Sequence, residues 1–177
     1  MTKFETVGNR EQLMTSETME QADRVIAKTY KRFPVVLVKG SGCTLVDTRG
    51  RSYTDFVAGI AVCNLGHSHE GVAQAVSIQA KTLTHVSNLY YTIPQVELAA
   101  WLVQHSFADR AFFCNSGAEA NEAAIKLARK YFNERGESSR FRIITMEQSF
   151  HGRTMATLSA TGQDKIKKGF EIGRAHV

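Results

Sequence analysis

Two short runs in this 177-residue chain combine residue types that can do chemistry. The first is Phe112-Phe113-Cys114-Asn115-Ser116-Gly117-Ala118-Glu119-Ala120-Asn121-Glu122. An apolar stretch runs into Asn-Ser-Gly and then directly into a helical pattern. The first N–H groups of such a helix have no intrahelical partner, and the helix dipole adds positive potential there. Gly117 lets a phosphate approach the backbone closely, and Asn115 and Ser116 can add side-chain donors. The plainer reading makes Ser116 a helix cap, with Glu119 as its capping-box partner. Both readings can hold together, because backbone N–H groups can bind an anion whatever the cap does. The second run is Ser149-Phe150-His151-Gly152-Arg153-Thr154. Phe150 offers a flat π-face, His151 a donor or acceptor, and Arg153 a bidentate clamp for a carboxylate. Taken singly, the same residues also suit a core Phe, a loop His and a solvated Arg.

The surrounding pattern supplies the elements that must position these runs. Gly117 to Phe132 is the clearest helix, with Ala120, Ala124, Leu127, Ala128 and Tyr131 at helical spacing. Arg110 to Cys114 before it and Phe141 to Met146 after it read as short buried strands. Strand, helix, strand predicts a parallel, right-handed βαβ unit, and both runs then leave the carboxyl ends of strands, where ligands bind. Earlier, Glu17 to Thr29 reads as an amphipathic helix that ends before Pro34, and Val35 to Val38 as a strand. Cys43 to Val46 and Ser52 to Val57 flank Asp47-Thr48-Arg49-Gly50-Arg51, a hairpin turn opened by Asp and closed by Gly. Gly59 to Gly66 reads as an irregular buried connection, and Glu70 to Thr84 and Val96 to Gln104 as helices. The first third therefore reads as small and antiparallel, the last as the opening of an α/β sheet.

Composition excludes several classes. Hydrophobic residues make up 43% and charged residues 22%, enough to bury a core and unlike a disordered chain. No stretch of about 18 apolar residues occurs, so no membrane span is expected. Met1 to Met19 has neither the apolar centre of a secretory signal nor the composition of a transit peptide. The net charge of +5 reflects 22 Lys+Arg against 17 Asp+Glu, without the basic face and interleaved aromatics of a nucleic-acid binder. Cys43, Cys63 and Cys114 are an odd number, lie far apart and form no CxxC pair, which predicts free thiols and a cytoplasmic setting.

With several motifs in order, the chain resembles class III pyridoxal-phosphate aminotransferases, in particular the branch that acts on N-acetylornithine. The resemblance runs from about Phe33 to Phe170. It rests on Asp55-Phe56-Val57-Ala58-Gly59-Ile60-Ala61-Val62, Leu65-Gly66-His67, Ser87-Asn88-Leu89-Tyr90-Tyr91-Thr92, Asn115 to Glu122, and Phe150 to Thr154. The family often has Pro at the position of Glu70, a departure in a turn that touches local geometry rather than chemistry.

The resemblance implies an incomplete α/β fold of the fold-type-I class. Residues 1–65 would hold the N-terminal segment and part of the small domain, and 66–171 the start of the cofactor-binding large domain. It implies pyridoxal 5'-phosphate as cofactor, with its phosphate on the N–H groups of Gly117 and Ala118, beside Ser116, and Phe150 stacked on its ring. Arg153 would hold the substrate's α-carboxylate, and Asn88 and Tyr90 would line the site. The implied reaction moves the amine of N-acetylornithine to 2-oxoglutarate, with a homodimer as the working form. Ornithine, succinylornithine and 4-aminobutyrate are the alternative amine donors. The family's Schiff-base lysine would lie beyond residue 171, so no catalytic residue is assigned in this chain, which is expected to be inactive and poorly soluble alone. A non-catalytic phosphate-binding fragment is the alternative of another class.

Three minor features complete the reading. His67-Ser68-His69-Glu70 is a weak metal-ligand set without an obvious fourth ligand. Gly40-Ser41-Gly42 lacks the third glycine and following helix of a dinucleotide site. Ile172-Gly173-Arg174-Ala175-His176-Val177 reads, in one frame, as the translation of part of a common sequencing adapter. The expectation is that Arg174 and His176 carry no function and that the native sequence departs from this one near Glu171.

Overall fold

The computed structural model of the chain describes residues 15–170 and residue 172. The readings of the first 14 residues, and of the final six apart from Ile172, lie outside the described residues. The chain divides into two compact units, one ending at Leu89 and the other beginning at Tyr90.

The first unit opens with helix α1 (Thr15–Val25). Three short strands follow: β1 (Leu37–Ser41), β2 (Thr44–Asp47) and β3 (Ser52–Thr54). They form one antiparallel sheet in the order β1-β2-β3. Ser41 pairs with Thr44, Thr44 with Thr54 and Val46 with Ser52, and a bulge separates Leu37 from Lys39. The predicted hairpin is present. Gly50 takes φ +75°, a left-handed conformation that glycine adopts without steric cost. Asp47, only 3% exposed, organises the turn. Its carboxylate accepts from the N–H groups of Arg49 and Arg51 at 2.9 Å each. It also accepts from Arg51 Nε and Tyr53 Oη at 2.8 Å. Burial alone would raise its pKa, but these donors outweigh burial and hold the carboxyl below the usual carboxylate range.

Beyond the sheet lie a four-residue turn, α2 (Ala58–Ala61), and helix α3 (Glu70–Thr82). The turn departs from expectation. Gly59 to Gly66 is not a buried connection: Ile60 is 87% exposed and Val62 77%. Ala58, Gly59, Ile60 and Ala61 all have positive φ, between 48° and 64°, so the chain winds one left-handed turn. That conformation costs a non-glycine residue roughly 1–2 kcal/mol. Asp55 Oδ1 holds the turn's entrance by accepting from Val57 N at 2.8 Å and Ala58 N at 3.0 Å. The segment's apolar side chains Val57, Ile60, Val62 and Leu65 are left exposed.

The second unit contains α4 (Ile93–Gln104), α5 (Gly117–Glu134), α6 (Met155–Ala160) and the single turn α7 (Asp164–Lys167). Pro94 sits in the first turn of α4, where its missing N–H costs nothing. The two strands expected here are corrected: Arg110 to Cys114 and Phe141 to Met146 carry no ladder hydrogen bonds among the described residues. A crossover helix fixes the hand of a βαβ unit, not the adjacency of its strands, and a strand exists only where a neighbour accepts its bonds. Consequently Phe112 is 74% exposed, and Ile144 and Met146 are 79% exposed. Burial concentrates instead in α6 and just after it, where Thr157 and Thr161 have no exposure and Leu158 has 4%.

Candidate functional site

The site is built from the start of α5 and the loop that precedes α6. Ser116 is extended and caps α5, accepting from Glu119 N at 3.2 Å. Glu119 reaches back as a capping box predicts, but its carboxylate takes Asn115 N, at 2.6 Å, one residue before the cap. Ser116 thus performs the capping role read from sequence. The N–H groups of Gly117 and Ala118, ahead of the one that Ser116 takes, are left as a potential anion cradle. A methyl group built on Gly117 would meet no atom within 4 Å, so the backbone there is open to close approach.

Phe150 to Thr154 is seated on this helix start. Gly152 is buried at φ +134°, a region essentially reserved for glycine. A Cβ there would come within 2.7 Å of Ala118 Cβ and 2.6 Å of Thr157 Oγ1. The loop backbone therefore lies against the first turn of α5. Asn121 lies four residues after Gly117, on the same helix face, and donates from Nδ2 to His151 O at 2.7 Å. His151 N donates to Thr161 Oγ1 at 3.0 Å. Thr154 Oγ1 donates to Glu122 Oε1 at 2.5 Å. The loop's neck is closed by Gln148 N donating to Gly162 O and Gly162 N donating to Ser149 O.

This arrangement brings four of the sequence-predicted residues together. Gly117 and Ala118 form the helix start, and Phe150 and Arg153 flank the two residues that touch it. Phe150 remains 54% exposed, and Arg153 is exposed. His151 has a buried Nε2 without a hydrogen-bond partner. Asn88 lies in the first unit, one residue before its end, and Tyr90 begins the second; both are exposed. A phosphate-bearing aromatic ring fits the second unit's residues. The open backbone at Gly117 suits the phosphate and the exposed Phe150 suits the ring.

A cavity of about 460 Å³ opens elsewhere in the unit, among Ile125, Arg129, Ile143, Met146, Ala160 and Gly162. None of Gly117, Ala118, Phe150 or Arg153 lines it. It runs along residues 143–148, which belong to no strand ladder among the described residues.

In the first unit, the weak His-Ser-His-Glu set resolves into structural contacts. His67 Nε2 lies 2.6 Å from Asp55 Oδ2, and its backbone pairs with Gly42. His69 caps α3, accepting from Val72 N at 3.4 Å. The hydrogen bonds from His67, then from Val57 N and Ala58 N, keep the Asp55 carboxyl below its ordinary range. Asp55 and His67 lie in separate sequence motifs, and their spacing of 12 residues does not by itself pair them. The acid at the end of one strand motif and the His after the Gly-rich turn were the available signal. Asn121, Glu122, Thr157 and Thr161 were also missed, and nothing local marks a buried Thr as a loop anchor.

Comparisons with known proteins identify the family. The Aminotransferase class-III family model matches residues 25–177. The acetylornithine aminotransferase of Thermosynechococcus vestitus is 57% identical over 158 residues, covering 89% of this chain and 38% of that protein. Among solved structures, a Bacillus anthracis aminotransferase superposes with a TM-score of 0.82 at 31% identity, covering 89% of this chain and 36% of that one. The ornithine aminotransferase from Toxoplasma gondii superposes with a TM-score of 0.83 at 26% identity, covering 96% of this chain and 41% of that one. The chain spans about two fifths of the length of the curated relatives it matches. Its two units form part of the fold-type-I transferase fold, and the chain belongs to the class-III aminotransferase family.

Proposed function

We propose that this chain is the N-terminal part of a pyridoxal-phosphate-dependent aminotransferase that moves the amine of N-acetylornithine to 2-oxoglutarate. The observation that carries the reading is the seating of the Phe150–Arg153 loop on the start of α5, through Gly152 and Ala118. A phosphate held by the N–H groups of Gly117 and Ala118 sits at the positive end of an 18-residue helix. Phe150 would stack on the attached ring. Arg153 binds the substrate α-carboxylate through two parallel N–H donors and orients the amine-bearing carbon. The bound cofactor supplies an electron sink for carbanion chemistry.

The preference for N-acetylornithine over ornithine, succinylornithine or 4-aminobutyrate rests on the 57% identity to an acetylornithine aminotransferase. In this reading the enzyme is a cytoplasmic homodimer of arginine biosynthesis. Residues 1–65 begin its small domain and 66–171 its large domain, and the present chain alone is inactive.

The test has two stages. Long-read sequencing of the source DNA past codon 171 should reveal a continuing aminotransferase frame. The full-length product should then be assayed with each amine donor and 2-oxoglutarate. N-acetylornithine should give the highest kcat/KM. Equal rates with 4-aminobutyrate would overturn the donor assignment, and a frame that ends after Val177 would overturn catalysis.

A further inference from the structure

We propose that Asn121 and Thr161 are positioning residues: together they clamp the peptide groups of His151, and thereby set where Phe150 and Arg153 stand relative to the first turn of α5. The inference deepens the reading of the site given under the proposed function and rests on it.

The clamp takes hold of one residue from two sides. The His151 carbonyl accepts from Asn121 Nδ2 at 2.7 Å, and the His151 N–H donates to Thr161 Oγ1 at 3.0 Å. These partners lie 30 and 10 residues away in sequence and belong to different elements. Thr161 is wholly buried, and its hydroxyl donates to Thr157 O at 2.9 Å. That bond spends its single proton and leaves a lone pair for the His151 N–H. Its rotamer is therefore fixed by two partners. Asn121 stands on the helix whose first turn forms the cradle, so its bond ties the loop to that helix.

The next residues repeat the pattern. Gly152 is pressed between Ala118 and Thr157, and Thr154 is tied to Glu122. The loop is thus fixed at 151, 152 and 154, whereas the side chains of 150 and 153 are exposed. Such an arrangement suits a loop whose two outward side chains must meet a ligand at a set distance from an anion cradle. Apolar packing alone would not fix that distance, since hydrogen bonds are directional and dispersion contacts are not.

The test uses the full-length enzyme with Asn121→Ala, Thr161→Val and Thr161→Ser. Hydrogen exchange at His151, Gly152 and Arg153 is followed in the apoenzyme, and pyridoxal phosphate affinity by absorbance titration. KM and kcat for N-acetylornithine and the apoenzyme melting temperature complete the set. Asn121→Ala and Thr161→Val should speed exchange at these three amides and weaken cofactor binding about ten-fold. KM for the amine donor should rise more than kcat falls. Thr161→Ser keeps the hydroxyl and should restore all of these values. If exchange at 151–153 is unchanged, or if Thr161→Ser behaves like Thr161→Val, the inference is overturned. Losses that merely track a lowered melting temperature would overturn it too. Should Thr161→Val fail to fold, Asn121→Ala decides alone. If the unmodified protein takes up no pyridoxal phosphate, the reading of the site fails instead, and loop exchange in the apoenzyme still judges the clamp.

Discussion

The two units of the chain hold their loops with different chemistry. In the unit ending at Leu89, carboxylates do it. Asp47 gathers two backbone and two side-chain donors around the hairpin, and Asp55 joins His67 to the left-handed turn. In the unit beginning at Tyr90, neutral groups do most of it. Asn121, Thr157, Thr161 and Gly152 seat the Phe150–Thr154 loop beside the Glu122 carboxylate, and the Glu119 carboxylate takes Asn115 N at the start of α5. A charged organiser makes its loop sensitive to pH, because protonation removes an acceptor. A neutral network does not titrate, but it tolerates little change of shape. The clamp on His151 is made by neutral groups, so its geometry should depend on sterics and hydroxyls more than on pH.

The largest expected effect tests the steric half of that contrast. Gly152→Ala places a methyl 2.6 to 2.7 Å from two neighbours at φ +134°. In the full-length enzyme it should cost about 3 kcal/mol and abolish cofactor retention. Thermal melts and pyridoxal phosphate titration check this, and a variant that melts with the wild type would erase the contrast.

Acid tests the other half. The folded Asp47 carboxyl lies below its ordinary value of 3.8. Its contribution is therefore complete above about pH 4, and is lost as pH falls through the folded value. Exchange of the Arg49 and Arg51 amides, corrected for intrinsic rate, should quicken in acid. Asp47→Asn should exchange fast already at pH 7 and show no further acid step. The amides of His151 and Gly152 should show no such step in either protein.

Smaller effects sharpen the picture at the cradle. Ser116→Ala should cost about 1 kcal/mol through the lost cap, and Ser116→Gly only a few tenths. If Ser116 also holds phosphate, both variants should weaken cofactor affinity alike, whatever their melts. At the bottom of the scale, Lys130 and Glu134 pair at 2.7 Å with side chains 72% and 63% exposed. Lys130→Ala should leave the melting temperature unchanged, since water and side-chain entropy offset such a pair.

Much of this was legible in the sequence where the signal is local. The turn from Asp47 to Arg51, the cap at Ser116 and the periodic face of α5 each depend on residues within a few positions of one another. Arg110 to Cys114 and Phe141 to Met146 were misread as paired strands for the opposite reason. An apolar β-prone run describes what one segment offers and says nothing about the neighbour that must accept its bonds. The apolar composition of Gly59 to Gly66 predicts burial, but composition does not say which segment covers it, and Ile60 and Val62 stand exposed in a chain that spans about two fifths of its relatives' length. Asn121 appeared inside a quoted motif, but its role as a donor to a residue 30 positions away could not be read from spacing.

By itself the sequence determined the family resemblance, the start of α5 with its Ser116 cap, and the residues offered to a phosphate, a ring and a carboxylate. These follow from propensity, capping and side-chain chemistry, which act over a turn or two of chain. Tertiary structure alone decided that His151 is clamped by Asn121 and Thr161, that Gly152 must pass beneath Ala118, and that Asp55 meets His67. Such contacts require distant segments to be held in register. Only the packed chain, having already met the entropy of closing those loops, can select them.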